Sequence, residues 1–399
     1  MNVQCCVVGS GPAGLMLGFL LARAGVSVAV LEKHADFFRD FRGDTIHPST
    51  LEIMHELGLL DGLLALPHQE VRELGASIGG QFMQIADFTH VPTHCKFLAF
   101  MPQWDFLNFL AAQAKGYPSF DLRMEADVHD LLWADGRVTG VRASQPNDEL
   151  EVRADLVVGA DGRHSIVREK AGLIVDDFGA PMDVLWFRIS RRPDDPRQAL
   201  GWLNHGKLLI MIDRTDYFQC GLTIRKGTYE QIKQRGVDAF RADIASLAPF
   251  LRERLSEIPD WDQIRLLAVV VNIAREWSRP GLLCIGDAAH AMSPIGGVGI
   301  NLAIQDAVAA TNILARSLRA SAASAGLLAQ VQRRREFPTR VTQRAQVFIQ
   351  NQLINRFLGV DKPMSPPWPL RLLNRWPLLR RLPAQLVGIG VRPEHVKAP

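Results

Sequence analysis

Residues 2–32 read NVQCCVVGSGPAGLMLGFLLARAGVSVAVLE, and their pattern decides the fold. The apolar run from Val3 to Val8 predicts a strand, the glycine-rich turn at residues 9–14 follows it, and Leu15 to Ala24 predicts a helix. A second apolar run, Val26 to Leu31, predicts another buried strand and ends at Glu32. This order of strand, glycine turn, helix, strand and acid predicts a dinucleotide-binding βαβ unit.

Each glycine of the turn has its own predicted role. Gly9 permits the tight turn, Gly11 lets the backbone approach a pyrophosphate, and Gly14 lets the helix and strand pack closely. The helix N-terminus offers unpaired N–H groups and the positive end of its dipole. Glu32 can accept hydrogen bonds from ribose hydroxyls, which favours FAD or NAD over NADP and leaves those two open.

The composition of the whole chain limits the classes of protein to which it can belong. The chain has 399 residues, of which 22% are charged and 47% hydrophobic, and these values exclude disorder or a fibrous architecture for the whole. The length predicts about two or three domains. A formal net charge of +3 gives no reason to expect a nucleic acid or an acidic membrane as the default partner.

The cysteines predict a compartment. The five of them show neither a CxxC pair nor a spacing interleaved with histidine, so we expect no disulfide framework and no metal site. The N-terminus lacks a basic region followed by a long apolar run, and no stretch of about 18 apolar residues occurs. A cytoplasmic protein is therefore predicted.

Two further motifs follow the first. Residues 154–168, ADLVVGADGRHSIVR, predict a strand that enters an Asp161-Gly162 turn (the DG segment) before a helix carrying Arg163 and Arg168. Residues 280–306, PGLLCIGDAAHAMSPIGGVGINLAIQD, predict a strand that delivers Gly286-Asp287 (the GD segment) and a glycine-rich entry into a helix. An aspartate at a strand end can accept from a ribitol hydroxyl, and a glycine-rich helix N-terminus can face the pyrimidine end of a flavin ring.

With these three motifs in order, the chain resembles the single-component (class A) FAD-dependent aromatic hydroxylases of the para-hydroxybenzoate hydroxylase fold, over about residues 1–315. Two smaller matches are Arg42 in FRGDTIHPSTLEIMHELGL and Gln103 in MPQWDFLNFL. The resemblance implies an α/β fold: a Rossmann-like FAD-binding domain, an interleaved antiparallel β-sheet domain for the substrate, and a helical C-terminal region.

The resemblance also implies a set of residues that bind FAD non-covalently. Glu32 would bind the ribose, Asp287 the ribitol or pyrophosphate region, and residues 297–301 the edge of the flavin ring, while Asp161 would serve both FAD and the nicotinamide. The full set is Gly9, Ser10, Gly11, Pro12, Ala13, Gly14, Glu32, Lys33, Arg42, Gln103, Val128, Asp161, Gly286, Asp287, Pro294, Gly297, Val298, Gly299, Ile300 and Asn301. Arg39 and Arg42 could instead be solvated loop residues, and His290 is expected to be a packing residue rather than a catalyst.

The middle of the chain is predicted to form the substrate sheet. Three strand-like runs cover residues 184–190, 207–213 and 217–225, and a turn at residues 134–137 predicts a hairpin between residues 126 and 143. In the resembled fold such a sheet covers the substrate above the flavin. The implied substrate residues are Trp186, Arg188, Met211, Tyr217 and Gln219, with Pro294 and Gly297.

The predicted domains are discontinuous. Residues 1–75, 98–180 and 265–315 are assigned to the FAD-binding domain, 76–97 and 181–264 to the substrate sheet, and 316–399 to C-terminal helices and an arm rich in Pro, Leu and Arg. Residues 227–256 and 303–318 read as helices, and Arg333 to Arg335 as a solvated helical face. We expect the arm to cover the cofactor domain; a dimer contact or a membrane-surface contact are the alternatives.

The function implied by the resemblance is the hydroxylation of a small aromatic, phenolic or enolic substrate. NADH or NADPH, a transient co-substrate, would reduce FAD, and the flavin C4a-hydroperoxide formed with O2 would transfer the OH group. No catalytic residue is identified, but His47 and Tyr217 are candidate proton-relay members, and Arg188 could hold a carboxylate or enolate. The protein would be a monomer or a homodimer.

Two other functions share these motifs. A flavin-dependent reductase of isoprenoid or quinone-like substrates would consume no oxygen, and a non-catalytic flavin-binding protein would not be reduced by NAD(P)H. A second strand-GxGxxG-helix unit, as in disulfide reductases, and the WxWxIP signature of flavin-dependent halogenases are both absent from the sequence.

Overall fold

The computed structural model describes residues 1–38, 45–196, 200–320, 324–357 and 364–397, with the side chains of residues 353–357 left out. The strands are β1 (Asn2–Val8), β2 (Val28–Leu31), β3 (Thr45–Ile46), β4 (Gln69–Val71), β5 (Glu73–Ile78), β6 (Gln81–Asp87), β7 (Leu98–Phe100), β8 (Phe120–Arg123), β9 (Asp127–Ala134), β10 (Arg137–Gln145), β11 (Asp148–Gly159), β12 (Val175–Asp177), β13 (Met182–Ser190), β14 (Gly201–Asn204), β15 (Lys207–Asp213), β16 (Tyr217–Arg225), β17 (Arg265–Leu267), β18 (Asn272–Ala274), β19 (Ser278–Arg279) and β20 (Leu282–Cys284).

The α-helices are α1 (Pro12–Arg23), α2 (Pro48–Glu56), α3 (Leu60–Leu64), α4 (Gln103–Ala114), α5 (Ile166–Lys170), α6 (Tyr229–Gln234), α7 (Val237–Leu247), α8 (Gly299–Arg319), α9 (Ala325–Phe357), α10 (Trp368–Arg375) and α11 (Arg381–Gly388). Short 3₁₀ helices cover Pro249–Glu257, Trp261–Gln263, Gly286–Ala288, Ile295–Gly297 and Pro377–Arg380. The predicted helix at 227–256 is thus divided, because Gly236 has a φ of +85° and Pro249 cannot donate a helical hydrogen bond.

The first sheet is built around the predicted βαβ unit. Its strand order is β19-β20-β11-β1-β2-β8, and the hairpin β9-β10 extends it from β11. β1 runs parallel to β2 on one side and to β11 on the other, and β11 runs parallel to β20. The carboxyl ends of the strands that precede the three glycine motifs therefore meet at one edge, where α/β sheets bind their ligands.

The second sheet has the strand order β17-β13-β16-β15-β14-β5-β6. Its strands pair antiparallel except at β14 and β5, which run parallel, so the expectation of an antiparallel sheet is wrong at that pair. β5 reaches this position by a crossover from the N-terminal part of the chain rather than by a hairpin, and a crossover permits parallel pairing. β5 and β17 both begin on the FAD side of the predicted domain borders.

Helix α8 runs through the core beside α1 and carries a buried charged network. Asp306 is fully buried and its Oδ2 accepts hydrogen bonds from the backbone N–H of Gly286 (3.0 Å) and from His290 Nε2 (2.6 Å). Its Oδ1 accepts from Nε of Arg335 (2.9 Å), which is also fully buried. The prediction that Arg335 lies on a solvated face is wrong, because a run of three arginines hides which of them faces α8.

By length and composition, the helical stretch Ile295–Arg319 could cross a membrane, but 83% of its apolar window is buried inside the protein. That burial identifies it as a core helix, packed between α1 and α9. All five cysteines are free thiols in buried positions, where they act as small apolar residues.

Removing the Arg335 guanidinium tests this core. We expect Arg335→Ala to lower the free energy of unfolding by about 3–5 kcal/mol, because it leaves the buried Asp306 carboxylate short of a charged partner. Arg333→Ala, on the exposed face of the same helix, is the matched control and should change it by about 0.5 kcal/mol or less. Urea titration measures both variants, and equal losses would contradict the assignment.

Candidate functional site

The glycine-rich turn between β1 and α1 has the shape that the sequence predicts. Gly9 has a φ of +94°, and a Cβ atom there would lie 2.6 Å from the Ala160 carbonyl oxygen. A Cβ on Gly14 would overlap the carbonyl oxygen of Gly9, whereas a Cβ on Gly11 would meet open space. Two glycines are thus required for packing, and the third leaves a cradle at the helix N-terminus.

Glu32 lies beside this cradle, at the end of β2. Its Oε2 accepts hydrogen bonds from the backbone N–H (3.1 Å) and the hydroxyl (2.7 Å) of Ser10, and its Oε1 accepts from the N–H of His34 (3.2 Å). The carboxylate is thus fixed in place next to the turn. Pro12 and Ala13 begin α1, Lys33 is exposed, and Val128 is buried in β9.

The DG and GD segments lie against each other at the same edge of the first sheet. The guanidinium of Arg163 is 3.6 Å from Asp287, and Arg168 donates hydrogen bonds to the carbonyl oxygens of Ala288 (3.0 Å) and Arg163 (2.9 Å). Asp161 accepts from the N–H of Val167 at 3.2 Å through Oδ2, and its Oδ1 is buried without a hydrogen-bond partner among the described residues. Burial raises the pKa of Asp161.

The flavin loop, which we define as residues 294–301, leads into α8. Gly297 has a φ of +63°, and a Cβ there would overlap the Thr45 hydroxyl. Asn301 Oδ1 accepts from the N–H of His47 (3.0 Å) and the hydroxyl of Thr50 (2.6 Å). Its buried Nδ2 has no partner within the described ranges, so an unused donor stands at the start of α8.

His47 lies behind this loop and is fully buried. Its Nδ1 lies 2.7 Å from the carbonyl oxygen of Val387, so Nδ1 carries the proton and donates it. Its Nε2 is then the acceptor; it has no partner in the part of the chain that the structure describes, and it lies 3.7 Å from where a Cβ on Gly297 would stand. Burial lowers the pKa of His47 from 6.5 to about 4, although the Val387 hydrogen bond opposes the shift.

These features fit FAD. The open cradle at Gly11 suits a pyrophosphate, Glu32 suits a ribose, and the orphaned donor of Asn301 with the free N–H groups of α8 suits the polar edge of a flavin ring. Pro294, Val298, Gly299 and Ile300 form the rest of that loop and helix start. Gln103 is the first residue of α4, while Arg39 and Arg42 lie outside the described residues.

The second sheet presents one face toward the C-terminal arm and the other toward α7. Trp186 belongs to the first face, where it packs in a cluster with Ala384 and Val387. Arg188 pairs in register with Gln219, and its guanidinium lies 5.0 Å from the centre of the Tyr217 ring. The predicted substrate residues Trp186, Arg188, Tyr217 and Gln219 therefore share this face.

Met211 does not share it. It pairs in register with Cys220 and packs with Phe187 and Phe240 against α7, on the opposite side of the sheet. Alternation within one strand does not show which residues of the neighbouring strand lie on the same face, because that depends on the register in which the two strands pair. Met211 therefore lies on the opposite face of the sheet from Trp186.

A cavity of about 470 Å³ lies at the edge of the second sheet. Its walls include Val71, Leu74, Phe100, Leu200, Met211 and Phe218, with the Arg191–Asp213 ion pair (2.8 Å) among the lining. Phe100 pairs in register with Thr45, whose hydroxyl donates to the carbonyl oxygen of Gly297 (3.4 Å). A single strand, β3, therefore separates this cavity from the flavin loop.

Comparison with known proteins identifies the family of the chain. Residues 2–345 match the family described as FAD binding domain. The chain is 34% identical over 384 residues to 6-methylpretetramide 4-monooxygenase of Streptomyces rimosus, an alignment covering 95% of this chain and 90% of that protein.

Two solved structures share the fold. A probable FAD-dependent monooxygenase from Pseudomonas aeruginosa superimposes with a TM-score of 0.76 and 21% identity, covering 90% of this chain and 99% of that one. An anhydrotetracycline hydroxylase from Streptomyces rimosus gives 0.74 and 23%, covering 99% and 77%.

The glycine cradle can be tested by two alanine variants. Gly11→Ala should leave the melting temperature of the apoprotein unchanged and raise the Kd for FAD about tenfold or more, because its Cβ enters space that the pyrophosphate needs. Gly14→Ala should instead destabilise the apoprotein by about 1–3 kcal/mol, since the turn must shift. Flavin fluorescence titration and thermal unfolding separate the two effects; tight FAD binding by Gly11→Ala would refute the cradle.

The buried neutral His47 predicts a pH dependence of stability. Its folded pKa lies below its unfolded pKa, so its contribution is complete above about pH 6.5 and disappears as pH falls toward 4. The loss amounts to about 3 kcal/mol of unfolding free energy. Comparing wild type with His47→Gln between pH 7 and pH 4 measures it: the wild type should lose more, and parallel curves would contradict a buried neutral imidazole.

Proposed function

Since the chain belongs to the FAD binding domain family and is a class A FAD-dependent aromatic hydroxylase, we propose that its substrate is a phenol or an enol whose hydroxyl group donates a hydrogen bond to His47. FAD, when bound, supplies the redox chemistry: it accepts a hydride from NADH or NADPH and activates O2 for insertion. The protein contributes binding, orientation and the placement of charge and protons.

The Nε2 atom of His47, which has no hydrogen-bond partner among the described residues, is the observation that carries this proposal. A buried acceptor without a partner costs free energy, and such atoms in native proteins call for a function. The Val387 carbonyl fixes the tautomer, so Nε2 can only accept. A hydroxyl donor placed against the flavin loop satisfies it, and the hydrogen bond shifts electron density onto the aromatic ring that is to be hydroxylated.

Other residues take supporting roles in the proposal. The N-terminus of α8 at Gly299 stabilises negative charge on the ring edge bound there. Trp186 supplies an apolar wall, and the apolar cluster around it excludes water from the reaction. Arg188 and Tyr217, at the far end of the same face, offer a cation and a hydroxyl for a second polar group of the substrate.

The proposed substrate is polycyclic. The relative with 34% identity acts, by its name, on 6-methylpretetramide, and the alignment covers nearly the whole of both chains. A fused-ring phenol or enol therefore comes first among the compounds to test, ahead of simple phenols and quinolones.

Substrate-stimulated turnover tests the proposal. Purified holoenzyme is given NADH or NADPH with each compound, and NAD(P)H oxidation, O2 uptake and product mass are followed together. We expect one class to stimulate oxidation with matched O2 uptake and a product heavier by one oxygen atom. Stimulated oxidation with no O2 uptake would show a reductase instead.

The role of His47 is tested separately. His47→Gln should keep the visible flavin spectrum and lower kcat about 10²–10⁴-fold with phenolic or enolic substrates. His55→Gln, at an exposed histidine on helix α2, which begins directly after His47, is the matched control and should leave kcat unchanged. Full activity of His47→Gln with an intact spectrum would refute the hydrogen bond while leaving the monooxygenase activity standing.

A further inference from the structure

The C-terminal arm, residues 364–397, carries a stripe of exposed apolar side chains. Trp368 and Leu372 lie four residues apart on α10 and Trp376 directly follows its end, with Trp368 75% and Trp376 57% exposed. Leu382 and Leu386 have the same spacing on α11, Leu378 lies in the 3₁₀ helix before it, and all three are exposed. Residues four apart lie on one face of a helix, so each helix presents an apolar outer face.

The inner face of the same arm is packed firmly onto the protein. Leu370 and Met364 join a cluster with Ile78, Met83 and Leu203 of the second sheet. The Arg380 guanidinium donates to the side chain of Gln84 and to the backbone carbonyl of Leu373. The outer stripe is therefore held in a fixed position by a docked inner face.

The charge of the arm is one-sided. Between Met364 and Pro393 the sequence has five arginines and no aspartate or glutamate, whereas the whole chain has a net charge of only +3. Arg371 and Arg375 are exposed beside the apolar stripe. Exposed tryptophan and leucine flanked by arginine, without acids, is the composition of helices that lie in the interface of an anionic bilayer.

A second copy of the chain fits this surface poorly. A two-fold interface would bring the same arginine-rich patch of both copies together, and like charges at short range repel. The headgroups of an anionic bilayer supply the opposite charge, and its acyl region accepts the tryptophans and leucines. We propose that the outer face of the C-terminal arm docks the protein on an anionic lipid bilayer.

This docking brings the active site close to the lipid. Leu386 faces outward on α11, and its neighbour Val387 faces inward and holds His47. The width of one helix, about 10 Å, therefore separates the bilayer surface from His47, which under the proposed function contacts the substrate hydroxyl. An apolar aromatic substrate dissolved in the membrane would have a short path to the site.

Vesicle binding by the full-length holoenzyme tests the proposal. Sedimentation with vesicles of phosphatidylcholine mixed with phosphatidylglycerol should show binding that weakens as salt is added, together with a blue shift of tryptophan fluorescence. The affinity for vesicles of phosphatidylcholine alone should be lower by about tenfold or more. Equal binding to both vesicle types, or to neither, would overturn the proposal.

Two pairs of variants locate the surface. Trp368→Ser/Trp376→Ser and Arg371→Gln/Arg375→Gln should each weaken binding about tenfold or more, with the flavin spectrum and melting temperature retained. Trp133→Ser, at another exposed tryptophan, and Arg252→Gln/Arg333→Gln, at other exposed arginines, are the matched controls and should bind like wild type. A concentration-dependent dimer that the tryptophan variant abolishes, with no vesicle binding, would assign the surface to a second copy and refute the bilayer.

Discussion

The buried Asp306 carboxylate holds the FAD end of the molecule together. It accepts hydrogen bonds from the Gly286 N–H, from His290 and from Arg335, which belong to the GD segment and α9. Burial alone would raise its pKa, but the charges and hydrogen bonds of His290 and Arg335 outweigh burial and lower it. The Asp306–Arg335 ion pair is costly to bury, but it fixes the relative positions of segments that are far apart in sequence.

The same network reaches the end of the chain. Arg335 contacts Glu394 at 3.4 Å, and Arg334 contacts the same carboxylate at 2.7 Å, so the C-terminal arm is tied to α9, whose Arg335 also holds Asp306. Helix α11 of the same arm contributes the Val387 carbonyl, which fixes the orientation of the His47 ring. The arm thus makes two polar contacts near the flavin site: Glu394 contacts the Arg335 that pairs with Asp306, and Val387 contacts the His47 beside Gly297. Loss of the arm would remove the Glu394 carboxylate that holds Arg334 and Arg335, and it would leave His47 free to change its tautomer.

The sequence predicted what local pattern determines. The glycine roles, the parallel β1–β2 pair, the hairpin turn at 134–137 and the bounds of β15 and β16 follow from periodicity and turn chemistry over short stretches. What it missed depends on contacts between distant segments. The face of Met211 depends on a pairing register, the burial of Arg335 on α8, and the unpartnered Nε2 of His47 on a carbonyl 340 residues away. A histidine immediately before the Pro48 that opens α2 was the only local signal, and it cannot reveal which ring nitrogen is left without a partner.

The orphaned acceptor also restricts which substrates this site can select. With a pKa of about 4, His47 is protonated in about one molecule in a thousand at pH 7. The neutral ring presents a lone pair at Nε2, which attracts a hydroxyl or N–H donor and repels a carboxylate. A carboxylate-bearing substrate would have to place its charge elsewhere, and Arg188, beside Tyr217, is a cation on the face of the second sheet that carries the other candidate residues. Under the proposed function, selection for a hydroxyl at the flavin end therefore follows from one tautomer, set by one backbone carbonyl of the arm.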